Sequence, residues 1–393
     1  MEEKMEIRAG IIGSGFSAGF HIDAIRRVYG TRVHIAGVFS RNLRNSQHFA
    51  EKHGIPSFPD LEMLIETCDV LHLCTPPVTH ESLALIILAK GKHVIIEKPL
   101  TGYFGNEAGL NGDTFPREEG LKKAMESIER ILVAEETSTG SIFYAENWIY
   151  APAIQKEREV VEKTRAQILW IQAQQSHSGS HSAAYGKWHL SGGGSLMGKG
   201  CHPISAVLYL KQVEGISRNG KPIRPLTVTC RTHSITRMDT FDDKSHIRAS
   251  YTDVEDYGFT HIVFEDGTIA DITASELLQG GVKNYLEVHA NNHRTICNIT
   301  PNNAMQTYNP VEENFEDIYV VEKTGTKMGW SNISPDEAWF NGYQQEIQAF
   351  YLNVAIGGRI ESNSRLAADT IAVIYSSYLS SQGKGVEVKI PLK

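Results

Sequence analysis

In the run His93-Val94-Ile95-Ile96-Glu97-Lys98-Pro99 a short apolar strand ends in a lysine set between a carboxylate and a proline. An ammonium in that position can hold a reacting oxygen and stabilise a developing alkoxide, with Glu97 orienting it. Much later, Ser191-Gly192-Gly193-Gly194-Ser195-Leu196-Met197-Gly198-Lys199-Gly200-Cys201-His202 reads as a glycine-rich loop running into a helix. Glycines let backbone approach a ligand closely, and a neutral imidazole on the first helical turn can act as a general base. Lys98 and His202 are therefore the candidate catalytic pair. Lys199 places a second cation in the same loop, to hold substrate or to be solvated.

A second constellation stands at the start of the chain. The apolar run Ala9-Gly10-Ile11-Ile12 opens into Gly13-Ser14-Gly15-Phe16-Ser17-Ala18, a GxGxxA turn between a strand and a helix. That context suits a dinucleotide: the first glycine permits the tight turn, the second admits the pyrophosphate, and the helix N-terminus attracts its charge. The next strand ends in Ser40-Arg41-Asn42 with Arg44 behind it, so the acid that would select NAD is missing. Both NAD and NADP remain open, since an arginine there can meet a 2′-phosphate or stack on adenine. The third strand ends in Cys74-Thr75-Pro76-Pro77. Thr75 and Pro76 are expected beside the nicotinamide-side ribose, and His80 at the start of the following helix on the cofactor wall. A nicotinamide beside Lys98 would add positive charge there, and that charge and burial are both expected to lower the lysine pKa.

Between the two candidate groups lies Ser176-His177-Ser178-Gly179-Ser180-His181-Ser182, followed by Tyr185 and Trp188. Small hydroxyl residues, His177, His181 and an aromatic platform suit a polyhydroxylated substrate such as a sugar. The His-x-x-x-His spacing would serve a metal only on a helix, and the intervening Ser-Gly-Ser argues for a loop. No metal is expected.

These groups need a scaffold. Apolar runs near 7–12, 33–39, 69–74, 93–96 and 141–144 alternate with amphipathic stretches near 16–29, 43–53, 79–90 and 117–136. This β-α-β-α order predicts a doubly wound parallel α/β sheet over residues 1–148. Residues 102–116, rich in glycine and asparagine, read as a loop insertion. From 149 to 393 strand-like runs recur near 166–176, 226–236, 246–254, 259–265, 268–275, 285–290 and 294–299, with helices expected at 200–211, 336–355 and 364–380 and a final strand at 386–390. That half reads as an α+β domain with a large, mostly antiparallel open sheet, whose bare face a second subunit would cover.

Composition excludes several classes. The 393 residues are 41% apolar and 21% charged, with net charge −8 and no basic block. Neither nucleic acid nor membrane is an expected partner. Five scattered cysteines without a Cys-x-x-Cys pair favour reduced thiols. The acidic opening Met1-Glu2-Glu3-Lys4-Met5-Glu6 is unlike a signal peptide, and cytoplasmic residence is expected.

Taken together, the chain resembles the glucose–fructose oxidoreductase/inositol dehydrogenase/MocA family. The resemblance rests on Gly13-Ser14-Gly15-Phe16-Ser17-Ala18, Cys74-Thr75-Pro76, Glu97-Lys98-Pro99 and Gly200-Cys201-His202. It implies a Rossmann domain plus an open-faced sheet domain, a homo-oligomer, and oxidation of a secondary hydroxyl of a sugar, glycoside or cyclitol with NAD or NADP. Lys98 and His202 fall on the family's catalytic lysine and histidine. Members acting on glycosides suggest a ring hydroxyl such as C3. A redox-neutral glycoside lyase or hydrolase, and a non-catalytic dinucleotide sensor, fit the same motifs. One departure matters: aspartates that members carry four residues before and three after the histidine are here Gly198 and Ser205, so the histidine lacks its usual carboxylate.

Overall fold

The computed structural model describes residues 6–105 and 110–392. The first five residues of the acidic opening and residues 106–109 of the expected insertion lie outside the described residues. β1 (Glu6–Ile12) runs through the glycine turn into α1 (Phe16–Arg26). Then come β2 (Arg32–Phe39), α2 (Leu43–His53), α3 (Leu61–Thr67), β3 (Val70–Leu73), α4 (His80–Ala89), β4 (His93–Glu97), α5 (Arg117–Glu136) and β5 (Ile142–Ala145). All five strands are parallel, in the order β2-β1-β3-β4-β5. The winding reverses between β1 and β3, so the carboxyl ends of these strands open a crevice. Their largely apolar inner residues follow from burial on both faces: every residue of β3 is buried, His72 included. The expected parallel sheet is present. Asn42 caps α2 by accepting from Asn45 N at 3.1 Å, and Gly54 ends it at φ 62°.

The chain continues through α6 (Asn147–Tyr150) and α7 (Pro152–Thr164) to β6 (Ile168–Ser176). Next are α8 (Trp188–Ser191), a π-helical turn at Leu196–Gly200, and α9 (Cys201–Asn219). β7 (Pro225–His233), β8 (Tyr257–Phe264), β9 (Ile269–Ser275), β10 (Lys283–Ala290) and β11 (Arg294–Thr300) complete most of a second sheet. A ribbon of β12 (Gln306–Asn309) and β13 (Gly329–Asn332) follows, then α10 (Glu337–Phe340), α11 (Tyr343–Ile356), α12 (Ser364–Gln382) and β14 (Val388–Lys389).

The second sheet runs β11-β10-β6-β9-β8-β7-β14. β6 and β9 pair in parallel and the other neighbours are antiparallel, as the mostly antiparallel reading required. α9 and α12 pack on one face, whose side chains join the main core. Phe259 and Ile296 stand exposed on the strands' outward alternation. α11 also packs on α1, and α12 on α5, so the end of the chain braces the first sheet.

Three expectations need correction. The helix expected at 336–355 is two, α10 and α11, parted at Asn341-Gly342, where Gly342 takes φ 91°. Residues 246–254 are not a strand. The N–H of Arg248 bonds to Ser178 O and that of Thr252 to Gly186 O, each at 2.9 Å, so the segment braces the 178–186 loop instead of joining a ladder. The helix expected at 200–211 continues to Asn219 and is entered through the π turn. No described helix is long and apolar enough to cross a membrane.

Candidate active site

A cavity of about 1380 Å³ lies along the carboxyl ends of β1, β3 and β4 and reaches the loops of the second sheet. That exceeds the roughly 300–1,000 Å³ of a pocket for one small ligand, so a cofactor and a substrate can share it.

At one end the wall is the glycine turn. Gly13 has φ 109°, and a Cβ there would sit 2.3 Å from Cys74 O, so only glycine fits. A Cβ on Gly15 would meet nothing within 4 Å, so packing within the protein does not require its glycine. Gly15 is the N-cap of α1, with no side-chain cap and no acid in the first turn, leaving the helix N–H groups free for an anion. A pyrophosphate fits this cradle. Gly13, Ser14, Gly15, Phe16 and Ser17 line the cavity, as do Ser40 and Arg41 beyond β2 and Thr75 and Pro76 beyond β3. His80 does not reach it. Buried under the wall, its Nδ1 lies 2.9 Å from Pro99 O and its Nε2 2.9 Å from Thr75 O, tying the ends of β3 and β4 together.

At the centre, Lys98 and His202 both line the cavity. Lys98 Nζ donates to Gly198 O at 2.9 Å and stands 5.2 Å from the centre of the Tyr185 ring. The pKa expectation for this lysine fails in the protein alone. Burial pulls it down, but the negative charge around it outweighs burial and raises it above the ordinary lysine value. The groups that act against burial are Tyr185 and Cys201, then the carboxyls of Glu97 and Glu146. Glu97 Oε2 accepts from Lys98 N at 3.1 Å, and its Oε1 lies 3.1 Å from His21 Nε2. A buried chain continues behind it: His21 Nδ1 to His72 Nδ1 at 2.7 Å, and His72 Nε2 to Tyr351 Oη at 2.7 Å.

His202 has the carboxylate that the sequence seemed to deny it. Glu146, fully buried just after β5, places Oε1 2.6 Å from His202 Nδ1. Burial lowers the His202 pKa, and Glu146 works against that fall. The two substituted positions are explained by packing. A Cβ on Gly198 would lie 2.9 Å from Tyr185 Cδ1, so the tyrosine ring fills the space a longer side chain would need, and the freed carbonyl takes the lysine. Ser205 is buried in helix packing, its Oγ 2.9 Å from Thr370 Oγ1. Fifty-six residues separate Glu146 from His202. Its only sequence signal is an acidic residue directly after an apolar strand.

Glu146, Cys201 and His202 bring ligand-type atoms within 4.8 Å of one another. Burial pushes the Cys201 thiol up to about 12 and the imidazole faces Glu146, which favours a hydrogen-bonded pair over a metal centre.

At the substrate end, His177, His181, Tyr185 and Lys199 line the cavity. Lys199 is not solvated. It is buried in an ion pair with Glu276 and donates to Ser180 Oγ at 3.2 Å. His181 reaches back to Phe16, ring centres 5.5 Å apart. Trp188 is not brought to the cavity: it stacks on Phe115 at 4.5 Å in a separate apolar cluster with Tyr251 and Val254. The ring platform there is Tyr185 instead.

Two family profiles match this chain. One, described as the oxidoreductase family with NAD-binding Rossmann fold, covers residues 7–106; the other, the GFO/IDH/MocA C-terminal domain, covers 155–294. The chain belongs to the GFO/IDH/MocA oxidoreductase family. It is 33% identical over 110 residues to glucose-6-phosphate 3-dehydrogenase of Bacillus subtilis (strain 168), a match covering 28% of this chain and 31% of that one. It is 31% identical over 97 residues to UDP-N-acetylglucosamine 3-dehydrogenase of Acidithiobacillus ferrooxidans, covering 25% and 30%. These matches span about a third of the relatives' lengths. The structure of GenD2 from gentamicin A biosynthesis, in complex with NAD, superposes with TM-score 0.78 at 19% identity, over 99% of this chain and 98% of that one. The fold is shared along the whole chain.

Proposed function

We propose that this protein is a nicotinamide-dependent dehydrogenase that oxidises a secondary ring hydroxyl of a sugar, glycoside or cyclitol. The observation that carries the reading is that Lys98 and His202 line one cavity whose other end is the glycine turn. The C3 position is the specific expectation, supported by the names of the two 3-dehydrogenase relatives.

When bound, the nicotinamide dinucleotide supplies the hydride acceptor. Gly13 and the N-terminus of α1 would hold its pyrophosphate, and Thr75 and Pro76 would flank its inner ribose. Lys98, whose Nζ already donates to Gly198 O, acts as an ammonium that donates to the substrate oxygen and stabilises the alkoxide rather than taking the proton. That task falls to His202. Its Nδ1–H is committed to Glu146, which leaves Nε2 an unprotonated acceptor for the hydroxyl proton. Glu97 holds negative charge behind the lysine. Arg41, with no acid at the end of β2, admits either NAD or NADP. We further propose that a second copy covers the outward face of the large sheet.

The test is a panel of polyols and glycosides assayed with NAD and NADP, alongside Lys98→Met and His202→Asn. Each substitution should abolish reduced-cofactor formation while cofactor still binds. Normal turnover in both variants would sink the assignment. Substrate cleavage without net reduced cofactor would shift the reading to a redox-neutral lyase.

A further inference from the structure

We infer that the cavity selects an uncharged, hydroxyl-rich ring, such as a glycoside or cyclitol, over a sugar phosphate or nucleotide sugar, and that Gln175 and Asn284 hold its remote hydroxyls. This deepens the dehydrogenase reading and rests on it.

The first observation concerns charge. Away from a helix N-terminus such as that of α1, a phosphate is received by an uncommitted Arg or Lys. At the substrate end the cations near the cavity are already engaged. Lys199 is buried against Glu276. Lys323 Nζ lies 3.3 Å from His181 Nδ1 and beside Glu322, and burial lowers its pKa. Arg248 spends its guanidinium on Ser180 O and Ser182 O at 2.6 and 2.9 Å. At the mouth, Arg27 pairs with Asp336 at 2.8 Å. His177 adds no charge, because burial, reinforced by Lys199, holds it far below the ordinary imidazole range.

The second observation is independent of charge. Gln175 on β6 and Asn284 on β10 are register partners across the ladder, and both line the cavity. Gln175 Oε1 and Asn284 Oδ1 are buried without a partner. Asn284 donates its own Nδ2 to Asn341 Oδ1 at 3.4 Å, which leaves its oxygen as the orphan. Buried polar atoms are nearly always satisfied, so these acceptors call for a donor from the ligand. A hydroxyl brings one. A fully ionised phosphate set against them brings only acceptors, so these two oxygens argue for a hydroxyl at this place, and the discrimination against charged sugars rests on the engaged cations.

The test uses the intact protein with NAD and compares kcat/KM for methyl glucoside and myo-inositol with that for glucose 6-phosphate and UDP-N-acetylglucosamine. The better neutral substrate should exceed both charged ones by at least about a hundredfold, as expected when a charged group enters a site that offers it no free partner. Asn284→Leu and the length-preserving Gln175→Met should each raise KM for it by roughly tenfold, about one hydrogen bond's worth, and lower kcat less. NAD affinity measured on the same samples reports that the variants are folded. Equal or better turnover of a charged sugar overturns this inference and leaves the dehydrogenase reading standing. So does a kcat loss without a KM change in both variants. No oxidation of either class overturns both.

Discussion

Replacing Glu146 by Gln isolates the charge that supports His202. The side chain keeps its length, so an amide oxygen can still accept from Nδ1–H across the 2.6 Å gap. What is lost is the ionic part of the bond. A hydrogen bond to a charged group is worth about 1.5–3 kcal/mol net and a neutral one about 0.5–1.5, so the change is roughly 1–2 kcal/mol. At about 1.4 kcal/mol per pKa unit, the imidazole loses on the order of one unit of basicity. The sign follows from the folded protein. Burial already lowers the His202 pKa and Glu146 opposes it, so removing the carboxylate lowers it further. A general base works in its neutral form, and the rate rises with pH through its pKa. The acid limb of kcat/KM should therefore move to lower pH by about one unit, while the weaker base drops the plateau roughly five- to thirtyfold. Glu146→Asp, which keeps the charge but shortens the reach, should hold the limb nearer its original place. The assay is initial-rate reduced-cofactor formation across pH 5–9, the window of imidazole titration, with NAD affinity as the folding control. An unchanged limb and plateau would refute the pairing, and so would a limb that moves upward.

Other outcomes follow from the same geometry. Gly13→Ala puts a methyl into Cys74 O at a positive φ and should weaken NAD binding more than about tenfold by calorimetry, with the melting temperature also lower. Tyr351→Phe removes the hydroxyl partner of His72 Nε2 inside the core; it should cost about 1–3 kcal/mol in denaturant unfolding and change kcat little. Gly198→Asp should cost roughly 1–3 kcal/mol by overpacking against Tyr185. Adding Tyr185→Ala should recover part of that loss, which thermal melts of both singles and the double would show as non-additivity.

The first sheet was legible because the inner parts of its strands are buried and read as short apolar runs alternating with amphipathic stretches. α7 was not. Its turns are crowded with charge, and one of its buried positions is Glu157, whose Oε1 meets His293 from far along the chain at 2.8 Å. Residues 246–254 carry strand-forming side chains, but their backbone donors go to a loop, and no pattern within the segment records that. The candidate pair Lys98 and His202 could be read from strand and loop ends because each is announced by its neighbours. Glu146 had no such announcement, since what makes it matter is a contact across 56 residues. Trp188 and His80 were misplaced for one shared reason. Sequence position put them near the cavity, while their size or hydrogen-bonding capacity was used one layer behind it.

The contact between Gly198 and Tyr185 also couples the two positions. With Tyr185 in place, an aspartate at 198 would have to form inside a space the ring already fills. With the ring gone, Lys98 loses the aromatic face beside its ammonium. The two arrangements are thus separated by a pair of changes, neither of which is favourable alone. In this chain an acid at 198 and a ring at 185 therefore exclude one another, and the carboxylate for His202 comes from the residue after β5 instead.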